Sequence, residues 1–175
     1  MESYTLELHP STQVYIALFE NVKNASALKQ RFIDQDATLT CSLINAKLVI
    51  DKSHILLATN RAVSDEANGT RKTQSIHSEI LFNFGIINNI GKIFRTFGIT
   101  DDTTNIIAVK VGGSEAEAES FMKENIQGDL VPLDNLKNIT DFKEIEKVYQ
   151  TGDQGQDKEK LLSLVAGGIA LRGHT

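Results

Sequence analysis

Gln13-Val14-Tyr15-Ile16-Ala17-Leu18-Phe19 interleaves two apolar sets, Val14, Ile16 and Leu18 against Tyr15, Ala17 and Phe19. Successive strand residues point to opposite faces, so a strand that is apolar at both parities is covered on both sides and sits mid-sheet. Upstream, Tyr4, Leu6 and Leu8 alternate with polar neighbours, which predicts a strand over residues 3–9 with one buried face, ended by Pro10-Ser11. Downstream, Asn24 reads as the N-cap of a helix over 25–33, with Ala25, Leu28, Phe32 and Ile33 on one stripe. Residues 41–50 hold two short apolar runs that periodicity does not assign, and a short strand is expected over 47–50.

Beyond that point helices dominate. Asp51 or Ser53 caps a helix through residue 67, with Ile55, Leu56, Thr59, Ala62, Val63 and Ala67 inward, closed by Asn68-Gly69. A helix pair follows, over 75–84 up to Gly85, and from Asn88 or Asn89 to Gly98. The β-branched run 105–111 reads as a strand, Gly112-Gly113-Ser114 as a turn, and 115–125 as a helix. A short last strand over 131–133, a helix over 140–149, a linker at 152–156 and a final helix over 157–172 complete the chain. Strands early and late among helices predict an α/β (α+β) fold: a single domain over residues 1–175, with a small, mixed, partly antiparallel sheet packed against about six or seven helices.

The 175 residues include 41% hydrophobic and 23% charged side chains, enough for one core without staples. Cys41 is the single cysteine, which excludes an internal disulfide, a zinc site of several thiolates and any CxxC redox motif; a reducing compartment is expected. Met1 to Glu7 lacks a signal-peptide pattern, and no apolar run approaches the roughly 18 residues of a membrane span, so neither secretion nor a membrane is expected. Signatures of catalysis are missing as well. There is no G-x-G-x-x-G, no P-loop, no G-x-S-x-G elbow and no HExxH. His77-Ser78-Glu79 matches only the H-x-E of a zinc deaminase, whose P-C-x-x-C partner is absent. No metal or cofactor is expected.

Two features are left over. The net charge of −5 is uneven: residues 1–60 carry −1, residues 61–97 carry +2, and residues 98–175 carry −6. An anionic partner would meet the middle third, through Arg61, Arg71, Lys72, Lys92 and Arg95. The second feature is the run 161–171, apolar at eight of eleven positions. One stripe, Leu161, Leu164, Val165, Gly168 and Leu171, suffices to dock a helix; Leu162, Ala166 and Ile169 then need a cover, either from this fold or from a partner. Each glycine of Gly167-Gly168 costs about 1 kcal/mol against alanine in a helix, a cost that close packing against the backbone would explain.

Several segments resemble one family in order and spacing: Leu18-Phe19-Glu20-Asn21-Val22-Lys23-Asn24-Ala25, Ser42-Leu43-Ile44-Asn45, Ala58 to Ala62, Ser78-Glu79-Ile80-Leu81-Phe82-Asn83, Asn88-Asn89-Ile90, Phe97-Gly98-Ile99, Lys147-Val148-Tyr149 and Ala170-Leu171-Arg172-Gly173. These are similar to the TPRKB family, the small kinase-binding subunits of the KEOPS (EKC) complex. The resemblance implies a noncatalytic subunit of the machinery that makes threonylcarbamoyladenosine in tRNA. Such a subunit binds the complex's atypical kinase/ATPase, supports its activity, and helps recruit tRNA by the 3′ CCA end. The catalytic threonylcarbamoyl transferase is a different subunit and an indirect partner. Nucleus and cytoplasm are the expected locations, and telomere maintenance is an activity linked to the family. Expected kinase contacts are Leu162, Val165, Ala166 and Ile169, with Ile76 and Leu81; expected tRNA contacts are Arg71, Lys72, Asn83, Lys92 and Arg95. A standalone RNA-binding module is the alternative reading.

Overall fold

A computed structural model describes residues 1–153 and 157–172. Residues 154–156 of the expected linker, and 173–175 with Gly173 and His174, lie outside the described residues. The strands are β1 (Glu2–Leu6), β2 (His9–Glu20), β3 (Ser42–Asn45), β4 (Ile106–Val111) and β5 (Asp129–Val131). The helices are α1 (Ala25–Ile33), α2 (Lys52–Asn68), α3 (Ile76–Phe82), α4 (Ile90–Phe97), α5 (Glu115–Asn125), α6 (Phe142–Tyr149) and α7 (Lys158–Arg172), with 3-10 turns at Ala46–Leu48 and Leu133–Asn138.

The sheet runs β1-β2-β4-β3, and β5 pairs with β2 beyond the end of β1. β2 is central as its double apolar pattern requires. Val14, Ile16 and Leu18 join Ile44, Ile107 and Val109 in a core covered by α2, α3, α4, α6 and α7. Tyr15, Ala17 and Phe19 join Leu43, Ile106 and Ala108 in a second core under α1 and α5. The α+β class therefore holds, with one correction: every strand pair among the described residues is antiparallel, so the sheet is not mixed.

Other corrections follow from pairing. β1 stops at Leu6, and Leu8 projects from the following turn into solvent instead of joining the buried face. Pro10 does not end a strand. It lies in β2 where the register slips between Thr5↔Gln13 and Leu6↔His9, a site that needs no N–H for the ladder. The strand expected over 47–50 is Ser42–Asn45, because only that run aligns with Ile106–Val109 of β4. Leu48, Val49 and Ile50 are buried without a ladder, packed in the core before α2. The last strand is Asp129–Val131, since Pro132 lacks a donor and a 3-10 turn follows it. Asn24 precedes α1 as expected, but its side chain does not cap it. Its Nδ2 donates to the carbonyl of Asn125 at 2.8 Å and its Oδ1 accepts from Gln127 N–H at 2.9 Å, tying α1 to the end of α5. Ile33 and Ala67, expected inward, are exposed.

Asp51 caps α2 by accepting from His54 N–H, and Gly69 closes it at φ 69°, the left-handed geometry a glycine tolerates. The first turn of α2 also carries a buried polar chain. Ile50 N–H donates to His54 Nδ1 at 3.1 Å, which places the ring proton on Nε2, and that N–H points at Tyr149 Oη at 3.0 Å. The Tyr149 hydroxyl donates in turn to the carbonyl of Phe84. Three elements distant in sequence are thereby joined with every donor matched.

Candidate interaction surfaces

α7 lies on α2 and α6, and its inward stripe is Leu161, Val165 and Ile169, each 1% exposed, followed by buried Arg172. Arg61 donates to the carbonyl of Ile169, and Lys158 Nζ lies 3.2 Å from an Asp51 oxygen. This corrects the expected faces. Val165 and Ile169, expected to meet the kinase, belong to this chain's own core. Leu162 and Ala166 are half-buried at its margin. The large apolar residues left outward are Leu164, 44% exposed, and Leu171, 66% exposed, both expected to dock inward. Adjacent helix positions differ by about 100°, so an apolar run this dense does not reveal its orientation. Neighbours decide it.

The two glycines separate on this face. A Cβ on Gly168 would sit 2.8 Å from Ile86 Cγ2, so the bare backbone is what lets residue 86 pack there. A Cβ on Gly167 would meet nothing within 4 Å. Gly167 thus carries the helix cost of about 1 kcal/mol with no return inside the described chain. It lies between Leu164 and Leu171 on the exposed stripe. Of the weaker kinase candidates, Ile76 is half-buried against the core and Leu81 is inside it, 3% exposed and unavailable to a partner.

The expected tRNA contacts also divide. Lys92 and Arg95 are exposed one turn apart on α4, whose inner side is Ile93 and Phe97. Lys72 is exposed. Arg71 is exposed, but its guanidinium shapes its own loop. It donates through Nε to the carbonyl of Thr73 at 2.8 Å and through Nη2 to that of Gln74 at 2.9 Å, and it pairs with Glu66. Asn83 is fully buried, its Oδ1 accepting from Arg172, so it cannot reach a nucleotide. Its neighbours Leu81, Phe82 and Phe84 are apolar, and only the polar character of its own side chain suggested an outward role. The reason for its burial is tertiary: Asn83 is the C-cap residue of α3, sealed under the end of α7.

A cavity of about 330 Å³ lies between α1, α4 and the outer edge of β3. Phe32 and Phe94 meet edge to face in its wall, with ring centroids 5.1 Å apart, and Ile33, Leu43, Lys29 and Arg95 also line it. Lys29 is held only loosely, 3.8 Å from an Asp101 oxygen. Cys41 also borders the cavity; burial pushes its thiol up to about 12, so it is no nucleophile. Sequence reading missed this site, because it placed Ile33 on the inward stripe of α1, whereas Ile33 is exposed and lines the cavity.

The two candidate contact surfaces are an apolar helix face and a cation-flanked aromatic slot, and no group of three His, Cys, Asp or Glu that could hold a metal occurs among the described residues. No helix among those residues is long and apolar enough to cross a membrane. The profile described as "Kinase binding protein CGI-121" matches residues 19–173, and the chain belongs to that family. It is 38% identical over 185 residues to "EKC/KEOPS complex subunit cgi121" of Aspergillus fumigatus, covering 100% of this chain and 98% of that one. It is 30% identical over 174 residues to the subunit of the same name in Schizosaccharomyces pombe, covering 97% and 99%. It is 33% identical over 168 residues to "EKC/KEOPS complex subunit TPRKB" of Danio rerio, covering 95% of each. The expected kinship with TPRKB is met.

Proposed function

We propose that this chain is a noncatalytic subunit of the KEOPS/EKC complex that docks the complex's small kinase on the outer face of α7 and helps to recruit tRNA through its 3′ CCA end. Membership of a kinase-binding family supports the first part. The observation that carries its location is Gly167, a helix glycine facing open space between two exposed leucines. Exposed Leu164 and Leu171 give such a face its apolar area, and a missing side chain lets a partner approach the backbone.

The tRNA contact fits the slot beside α4. Unpaired RNA ends are held by stacking on aromatic rings with cations on the phosphates, and Phe32, Phe94, Lys29 and Arg95 supply both. Lys92 extends the cationic side along α4, and Lys72 stands on the loop before α3. On this reading the chain lies upstream of the threonylcarbamoyl transferase and acts in nucleus and cytoplasm.

Size-exclusion chromatography with the kinase and with tRNA, separately and together, tests the reading. The chain should co-elute with the kinase, and complex lacking the chain should modify tRNA more slowly although the chain alone turns nothing over. Lys92→Glu with Arg95→Glu is expected to weaken tRNA binding tenfold or more and to lower the slope of log affinity against log salt by about 1 to 2. tRNA trimmed of its CCA end should bind the wild type no better than whole tRNA binds that variant. Unchanged affinity in the variant would remove the slot from the reading. Tight tRNA retention together with no kinase binding would favour a standalone RNA-binding module.

A further inference from the structure

Arg172 is a cation at the end of a surface helix, yet it is only 6% exposed. Its Nη1 donates to the carbonyls of Phe82 at 2.7 Å and Gly85 at 2.9 Å, its Nη2 donates to Asn83 Oδ1, and its guanidinium carbon lies 4.1 Å from the centre of the Phe82 ring. One side chain of α7 thus gathers the acceptors at the C-terminal end of α3 and in the turn after it. Burial and the nearby Arg61 lower its pKa to about 10, which leaves it cationic at neutral pH.

Gly168 lies one helical turn before Arg172, on the same side of α7, and Ile86 packs against it. The 82–87 segment is therefore fixed to α7 at two points, by the guanidinium on its first half and by Ile86 on its second. Ile87 comes next in the chain after Ile86 and is 40% exposed, as Leu164 and Leu171 on α7 are exposed. We infer that Arg172 is a positioning residue for partner binding: by clamping the turn after α3 to α7 it sets Ile87 beside the outer face of the helix and completes the docking surface. The inference rests on the reading that this face docks the kinase.

The fork geometry gives the clamp its specificity, because a guanidinium reaches three acceptors in one plane and an ammonium does not. Arg172→Met keeps the bulk and removes every donor. It is expected to weaken kinase binding about tenfold or more in protein that remains folded, and to speed amide hydrogen exchange at residues 83–88 while exchange in β2 and β4 stays as in the wild type. Arg172→Lys should recover part of both losses. Ile87→Asp, an exposed change, should weaken kinase binding about tenfold without altering exchange at 83–88. Wild-type affinity in Ile87→Asp, or in folded Arg172→Met, overturns the inference. If Leu164→Asp also binds as the wild type does, the docking reading itself has failed; if only Leu164→Asp loses binding, the positioning role alone has failed.

Discussion

Leu164→Asp is expected to weaken binding to the complex's kinase about 100-fold while leaving thermal unfolding of the free chain nearly unchanged, and Ile169→Asp is expected to unfold the chain. The two residues lie five apart on α7 and differ in what covers them. Leu164 is 44% exposed and Ile169 is 1% exposed. Burying a leucine side chain at an interface contributes about 1.5 to 3 kcal/mol, and an aspartate there adds a desolvation penalty, so about 2.7 kcal/mol, a factor of 100, is a modest expectation. At Ile169 the same charge enters a packed core without a partner. A loss above about 4 kcal/mol consumes most of the stability of an ordinary domain. Loss of kinase binding in Ile169→Asp would therefore say nothing about the interface, whereas loss in Leu164→Asp would.

Gly167→Ala sharpens the test, because its two effects have opposite signs. The free chain should gain up to about 1 kcal/mol from helix propensity, since a Cβ there meets nothing, while a methyl group inserted into a close contact should lower affinity. Isothermal titration with the kinase and thermal melting of the free chain read the two quantities separately. Wild-type affinity in both Leu164→Asp and Gly167→Ala would show that the kinase binds elsewhere.

The contrast between β2 and α7 shows what the sequence could reveal. A strand has two faces, so apolar residues at both parities of residues 13–19 leave one outcome, burial on both sides, and the two cores divide along those parities. A helix presents a continuous circumference. Eight apolar residues in eleven leave its rotation to be set by what it packs on, here α2, α6 and the Ile86 turn, none of it adjacent in sequence. The same limit hid Asn83 and Arg172, polar residues that are buried because each is the other's partner 89 positions away. The slot draws on residues from 29 to 100, brought together by the edge of β3. Strand pairing, too, depended on partners: which of residues 41–50 form β3 is decided by β4, some 60 positions later. Local signals served well where the physics is local, as at the Gly69 terminus and at the caps narrowed to Asp51 or Ser53 and to Asn88 or Asn89, which are Asp51 and Asn89.

The second large effect concerns acid. His54 is fully buried, and burial lowers its pKa from 6.5 to about 4, against a small opposing pull from Asp51. Its neutral form is the one the core is built for, with Nδ1 accepting from Ile50 N–H and Nε2–H directed at Tyr149 Oη. A proton on Nδ1 would set two donors against each other. Above pH 6.5 the ring is neutral in folded and unfolded chains alike, and it contributes no pH dependence. Between pH 6.5 and about 4 the unfolded chain takes up the proton and the folded chain does not, so stability falls with pH by up to about 1.4 kcal/mol per unit, about 3 kcal/mol in all. His77, lowered to about 4 by burial and by Lys110, acts in the same direction. His54→Gln isolates the first contribution, because a glutamine amide can accept from Ile50 and donate toward Tyr149 without titrating. Urea unfolding of wild type and variant at intervals from pH 7.5 to 4 should give a variant less stable at pH 7.5 but with a flatter decline, the two curves converging as the pH falls. Parallel curves would mean that His54 takes up its proton in the folded chain as readily as in the unfolded one, and that the buried chain from Ile50 to Phe84 does not hold it neutral.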